Sequence, residues 1–221
     1  MSRLEAPGID VQTLLASNAH EIKNLVGQLT LAMDRLAMDG EPARGVRLLS
    51  RRIGDRMVQL LALHKMQTER LSLRIEAHFP ADFIEELAHE ARTLAGARID
   101  VDCVLSEAAE FWFFDRELAE SALLNALHNA LTYAKGRIVL SACVRDAYLV
   151  FGVEDDGGGF PDQVLRSQEQ SFVGAQCNGT GLGLYFAEVI AKAHVNAGRQ
   201  GRLVLGNKAH GQGTLFELWL P

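Results

Sequence analysis

The chain has 221 residues, 48% of them hydrophobic, with 22 Lys and Arg against 28 Asp and Glu for a net charge of −6. That length allows one large domain or two small ones with separate cores. The acidic balance argues against nucleic acid as a partner, and no apolar run approaches the ~18 residues of a membrane span.

Met1–Glu5 begins no secretory signal, so the expectation is a cytoplasmic protein with no direct membrane insertion. Cys103, Cys143 and Cys177 are too few and too widely spaced for a disulfide framework or a zinc knuckle. Charge is unevenly divided: residues 1–70 hold ten Lys and Arg against eight Asp and Glu, leaving 12 against 20 for residues 71–221. A basic N-terminal part beside an acidic remainder suggests an acidic protein partner for the former.

From Val11 to Leu36 apolar residues recur at steps of four and three through Leu15, Ile22, Leu25, Leu29 and Ala32, with Asn18 the one polar member. The pattern predicts a coiled-coil-like helix. Gly40 and Pro42 supply a stop and a new start, and Val46, Leu49, Ile53, Leu60 and Leu63 repeat the seam. A hairpin of two such helices leaves half its seam uncovered, and a second copy completes a four-helix bundle. A homodimer through the hairpin is therefore expected. On the first helix His20 falls farthest from the seam, with Glu21 beside it and Asn24 one turn along the same face.

Lys65–Arg70 reads as a linker, dividing the chain into a hairpin over 1–67 and a second domain over 68–221. In the second, Leu71, Leu73 and Ile75 alternate as a strand, Asp82–Leu94 as an amphipathic helix, and Ile99–Leu105 as another strand. Asp115–Tyr133 is a helix that sets Asn125 and Asn129 on one face, four residues apart. Arg137–Val144 and Tyr148–Val153 form a strand pair that delivers Asp155 into Asp155-Asp156-Gly157-Gly158-Gly159. An acid followed by glycines at a strand end lets the backbone approach a ligand closely.

Pro161–Asn178 has little periodicity and reads as a lid that orders around ligand. Next, Asn178-Gly179-Thr180-Gly181-Leu182-Gly183-Leu184 leads into an apolar stretch with helical spacing from Leu184 to Ala191. Free backbone N–H groups at that helix start would face an anion, a phosphate site. Neither a Gly-x4-Gly-Lys-Ser/Thr loop nor a chain-initial dinucleotide fingerprint is present. Arg202–Leu205 and Gly213–Leu220 complete a sheet, giving an α/β sandwich.

The order of the Asn-bearing helix, Asp-x-Gly-x-Gly and Gly-x-Gly-x-Gly resembles the Bergerat ATP-binding fold of histidine kinases, gyrase, Hsp90 and MutL. His20-Glu21-Ile22-Lys23-Asn24 resembles the phosphoacceptor box of sensor histidine kinases, so the resemblance covers nearly the whole chain. It implies a Bergerat-type α/β sandwich behind a helical hairpin, with His20, Glu21 and Asn24 as the catalytic group. Asp155 would accept from the adenine amine. Nucleotide would also contact Asn125, Asn129, Tyr133, Gly157, Gly159, Gly179, Thr180, Gly181, Leu182, Gly183, Leu184 and Thr214.

Asn129 would hold Mg2+, a hard cation suited to an amide oxygen, with Asn125 in support. The implied activity is autophosphorylation of His20 from ATP and transfer to an aspartate on a response-regulator receiver domain, with regulator phosphatase activity besides. No sensor, receiver or membrane segment is recognisable, so either a separate sensory or regulatory protein is expected to supply the input or the chain is part of a longer one. Three positions depart from the family pattern: Leu25 replaces the usual proline, Thr132 a common basic residue, and Ser171-Phe172-Val173 a fuller Phe-rich lid box. A non-catalytic phosphotransfer adaptor with a vestigial ATP domain is the alternative, disfavoured by five retained glycines. A serine kinase of the anti-sigma type leaves the hairpin unexplained.

Overall fold

The structure, a computed structural model, describes residues 73–106, 109–167, 182–208 and 212–221, together with Gln28 and Ile53. The expected hairpin with His20, Glu21 and Asn24, and the loop residues Gly179, Thr180 and Gly181, lie outside the described residues.

Five strands form the central sheet: β2 (Asp100–Ser106), β4 (Arg137–Arg145), β5 (Tyr148–Asp155), β9 (Thr214–Leu220) and β8 (Arg202–Asn207), in that spatial order. Only β2 and β4 run parallel; the other neighbours are antiparallel. Alternation sets the faces. Ile138, Leu140 and Ala142 of β4, Leu149, Phe151 and Val153 of β5, and Phe216, Leu218 and Leu220 of β9 all enter one core.

Helices α1 (Pro80–Ala95), α2 (Arg116–Tyr133) and α4 (Leu182–Ala193) close that core. Pro80 opens α1 and Gly96, at φ 59°, ends it. Helix α2 is buried on several sides, and its alanines at 119, 122, 126 and 130 let its neighbours approach closely. Phe83, Phe114 and Phe151 meet edge to face at the centre. On the opposite face Arg145 and Arg202 stack on Trp219, while the Trp219 indole donates to Glu217 at 3.0 Å. The stacking covers an aromatic ring that the alternation points away from the helices.

Several boundaries differ from the sequence expectation. The first strand is β1 (Glu76–His78), later than Leu71–Ile75, because it pairs with an unforeseen β3 (Trp112–Phe114). A tight hairpin of β6 (Val195–Asn196) and β7 (Arg199–Gln200) follows α4. The first part of the expected lid is a short helix, α3 (Asp162–Ser167), anchored by buried Val164.

Candidate functional site

The site is built where β5 ends and β9 begins. Leu149, Phe151 and Val153 face the core, so the same alternation turns Asp155 toward the helices, where it is 4% exposed. On β9 the register pairs Phe216 with Val153, and two residues further it brings Thr214 opposite Asp155. The Thr214 hydroxyl donates to Asp155 Oδ2, and the Gly157 amide donates to Oδ1 at 2.7 Å. A buried carboxylate without such donors would be costly. These two fix its plane and leave further acceptor capacity on both oxygens.

Gly157 lies where no side chain fits, since a Cβ would stand 2.7 Å from the Tyr133 carbonyl oxygen and 2.8 Å from Asp155 Oδ1. The Tyr133 backbone thus bears on the acidic loop while its ring is half exposed. One turn back along α2, Asn129 is half-buried, and a further turn back Asn125 is buried. Asn125 packs directly on the first turn of α4. A Cβ on Gly183 would fall 1.8 Å from Asn125 Nδ2 and 2.5 Å from its Cγ. The two helices approach there only because position 183 has no side chain. Leu184 is buried behind that contact, and Leu182 begins the helix.

The structure thereby brings together Asn125, Asn129, Tyr133, Asp155, Gly157, Gly183, Leu184 and Thr214 from four separate elements. Gly159, at φ 81°, turns the chain away from them. Thr132, where a basic residue is common in the resembling family, is exposed, and its hydroxyl returns to the His128 carbonyl at 2.8 Å.

Three supports were not foreseen from the sequence. Asp156 Oδ1 accepts from the Lys135 and Gly136 amides at 2.8 and 3.1 Å, tying the loop to the end of α2. Burial pushes the Asp156 carboxyl up, but the amides of Gly136, Arg137, Lys135 and Asp156 itself outweigh it and hold the group below its ordinary value. Asn207 pairs reciprocally with the backbone of Phe160, accepting at 2.6 Å and donating at 2.9 Å. The Gly213 amide donates to the Gly157 carbonyl at 2.8 Å. The doubled acid at 155–156 and the glycine before Thr214 were the available signals.

The chemistry of the assembly is that of nucleotide recognition. A fixed, buried acceptor-only carboxylate suits the amine of a planar base, and the start of a twelve-residue helix suits phosphate. Two amides on α2 offer hard oxygen donors between these positions. Among the described residues no group of three or more His, Cys, Asp and Glu is placed to hold a metal ion. A divalent ion here would be held through an amide oxygen, in place of the carboxylate Mg2+ commonly takes, together with phosphate oxygens and water.

Comparison with known proteins agrees with this geometry. Residues 114–221 match the family described as histidine kinase-, DNA gyrase B-, and HSP90-like ATPase. The sensor-like histidine kinase SenX3 of Mycobacterium tuberculosis is 28% identical over 237 residues, covering 100% of this chain and 55% of its own length. The sensor histidine kinase RppB of Synechocystis is 26% identical over 227 residues, covering 95% and 49%. The chain therefore spans about half the length of these curated relatives.

Among solved structures, the Acinetobacter baumannii histidine kinase AdeS superposes with a TM-score of 0.61 at 17% identity, over 91% of this chain and 96% of that one. Full-length ShkA in complex with AMPPNP gives 0.58 at 21% identity, over 96% and 46%. At that identity the likeness is one of fold. Residues 114–221 thus match the histidine kinase-, DNA gyrase B- and HSP90-like ATPase family, in a chain similar over its length to sensor histidine kinases.

Proposed function

We propose that the protein is an ATP-dependent histidine kinase that phosphorylates His20 on its own N-terminal segment and passes the phosphoryl group to an aspartate of a response-regulator receiver domain. The observation that carries the reading is the Asp155 carboxylate, held by Thr214 and Gly157 beside the end of α2, the helix whose Asn125 meets Gly183. Relatives named as sensor histidine kinases support the reaction class.

In this reading Asp155 accepts from the adenine amine, directly and through water, and Gly157 and Gly159 carry the loop past the base. Amides at the start of α4, with Gly179, Thr180 and Gly181 before it, bind phosphate oxygens as donors. Asn129 holds Mg2+ and Asn125 supports it from the adjoining turn; bound there, Mg2+ supplies neutralising charge near the phosphates. Glu21 accepts from one imidazole nitrogen of His20, fixing the tautomer so that the other nitrogen is the nucleophile. Asn24 orients water toward the regulator's phosphoaspartate, which gives the protein a phosphatase activity as well.

The hairpin over 1–67 dimerises, and a separate sensory or regulatory protein supplies the signal. The chemistry belongs in the cytoplasm, where ATP and receiver domains are found. Supported strand ends and the close Asn125–Gly183 contact are what a used nucleotide site requires, which disfavours the adaptor alternative.

The test is incubation of the full chain with γ-labelled ATP. Label that survives alkali, is lost in acid and is absent from His20→Gln is expected. Acid-stable label, or label retained by His20→Gln, refutes the assignment.

A further inference from the structure

At the end of the α2–α4 pair remote from Asn125 and Gly183, the same two helices are joined by a second contact that nucleotide chemistry does not use. The Asp115 amide donates to His194 Nε2 at 3.0 Å, and His194 Nδ1 donates to the Ile190 carbonyl at 2.8 Å. An amide donor facing Nε2 requires the neutral ring with its proton on Nδ1. Both residues are buried. The Asp115 side chain caps α2 by accepting from Leu118 N at 3.1 Å, and its other oxygen accepts from Arg74 N at 2.8 Å. Arg74 lies in the segment that enters the domain, shortly before β1, and β1 pairs with β3, the strand that ends one residue before Asp115.

The spacing matches on the two helices. Asn125 is ten residues beyond Asp115, and His194 is eleven beyond Gly183. At about 1.5 Å per residue these are spans of roughly 15 and 16 Å. The pair is therefore fastened at both ends, Asn125 on Gly183 beside the nucleotide loops and Asp115 on His194 beside the entering segment. A shift of Arg74 moves the cap of one helix and, through the imidazole, the end of the other.

We infer that Asp115 and His194 are positioning residues that couple the segment entering the domain to the nucleotide site. The inference rests on the nucleotide reading given above. By reciprocity, nucleotide binding must hold that segment more tightly to the same degree that the segment's placement favours nucleotide. The imidazole matters to the coupling because it carries the contact from the Asp115 amide to the Ile190 carbonyl of α4.

Amide exchange at Arg74 and Asp115 reads the tie directly, since both amides donate within it. It is measured on the full chain with and without AMP-PNP and Mg2+, with nucleotide binding followed in parallel by calorimetry. His194→Phe fills the space but cannot accept; His194→Gln retains an acceptor near the Nε2 position. In the wild type AMP-PNP is expected to slow exchange at both amides by about fivefold or more, the scale of one net hydrogen bond. His194→Phe is expected to lose the slowing and, by the same reciprocity, to bind AMP-PNP about fivefold more weakly, and His194→Gln to keep both.

Equal slowing in His194→Phe, or binding without slowing in the wild type, overturns the coupling. So does faster exchange throughout the central sheet in both variants, which would mean that His194 only holds the fold together. Failure of the wild type to bind AMP-PNP overturns the nucleotide reading, and the coupling with it.

Discussion

Asp155, the last residue of β5, and Thr214, the first of β9, are joined side chain to side chain, and the threonine hydroxyl donates to the carboxylate that the Gly157 amide holds from the other side. Both neighbours are donors, so the carboxylate's acceptor-only character is used twice before any ligand arrives. Asp155→Asn turns one acceptor into an N–H donor facing a donor. An unpaired buried polar group costs about 1–3 kcal/mol, and calorimetry should record ATP affinity lower by about ten- to hundredfold. Thr214→Val removes one support and leaves the carboxylate, with an expected loss nearer fivefold. A larger loss in Thr214→Val than in Asp155→Asn would mean that the threonine meets the nucleotide itself.

Gly183→Ala tests the approach of α4 to α2. The added methyl would stand 1.8 Å from Asn125 Nδ2 and 2.6 Å from Oδ1, so the buried amide must swing away. Because Asn125 and Asn129 share one face, the displacement reaches the proposed metal position, and ATP affinity in Mg2+ should fall about tenfold or more. Gly206→Ala is the control, its nearest neighbour being Leu215 Cδ2 at 3.8 Å. It should bind as wild type does. Equal affinity for both variants would remove Asn125 from the site.

What the sequence made legible, and what it hid, follows from the range of each interaction. The Asn125–Asn129 spacing and the acid-then-glycine run at Asp155 are local, so their elements were read close to the observed bounds. Strand β3 and the β6–β7 hairpin have three and two residues per strand, too few for a period to register. Helix α3 escaped because only Val164 is buried within it. The Asp155–Thr214 contact spans 59 residues and depends on strand register, which no local pattern encodes. His194 carries no local signal, because its partner Asp115 is 79 residues away.

Asn24 separates the two directions of phosphoryl traffic. Its amide can both donate to and accept from a water, which is what orienting a nucleophile toward an aspartyl phosphate requires. Glu21, not Asn24, is assigned to the His20 imidazole. Asn24→Ala should therefore leave labelling of His20 nearly intact while slowing dephosphorylation of the regulator about tenfold or more. Decay of the phosphorylated regulator at equal rates with both proteins would exclude Asn24 from that step.

His194 gives the fold a pH dependence whose sign follows from its contacts. Burial holds the imidazole below its ordinary value; the Ile190 carbonyl and the Asp115 carboxylate oppose this without cancelling it. In the folded chain the ring stays neutral, since a proton on Nε2 would face the Asp115 amide. In the unfolded chain it takes up a proton near pH 6.5. Below that value the unfolded state binds a proton the folded state does not. The stability associated with His194 is therefore fully present above about pH 6.5 and is lost as pH falls from there toward the depressed folded value, by at most about 1.4 kcal/mol per pH unit. Comparing wild type with His194→Gln isolates what the imidazole contributes. Between pH 7.5 and 5.5 the urea midpoint of the wild type should fall more steeply than that of the variant. Parallel midpoints across that interval would mean that the ring titrates in the fold as it does in water, and that the Asp115–His194 hydrogen bond does not depend on its neutrality.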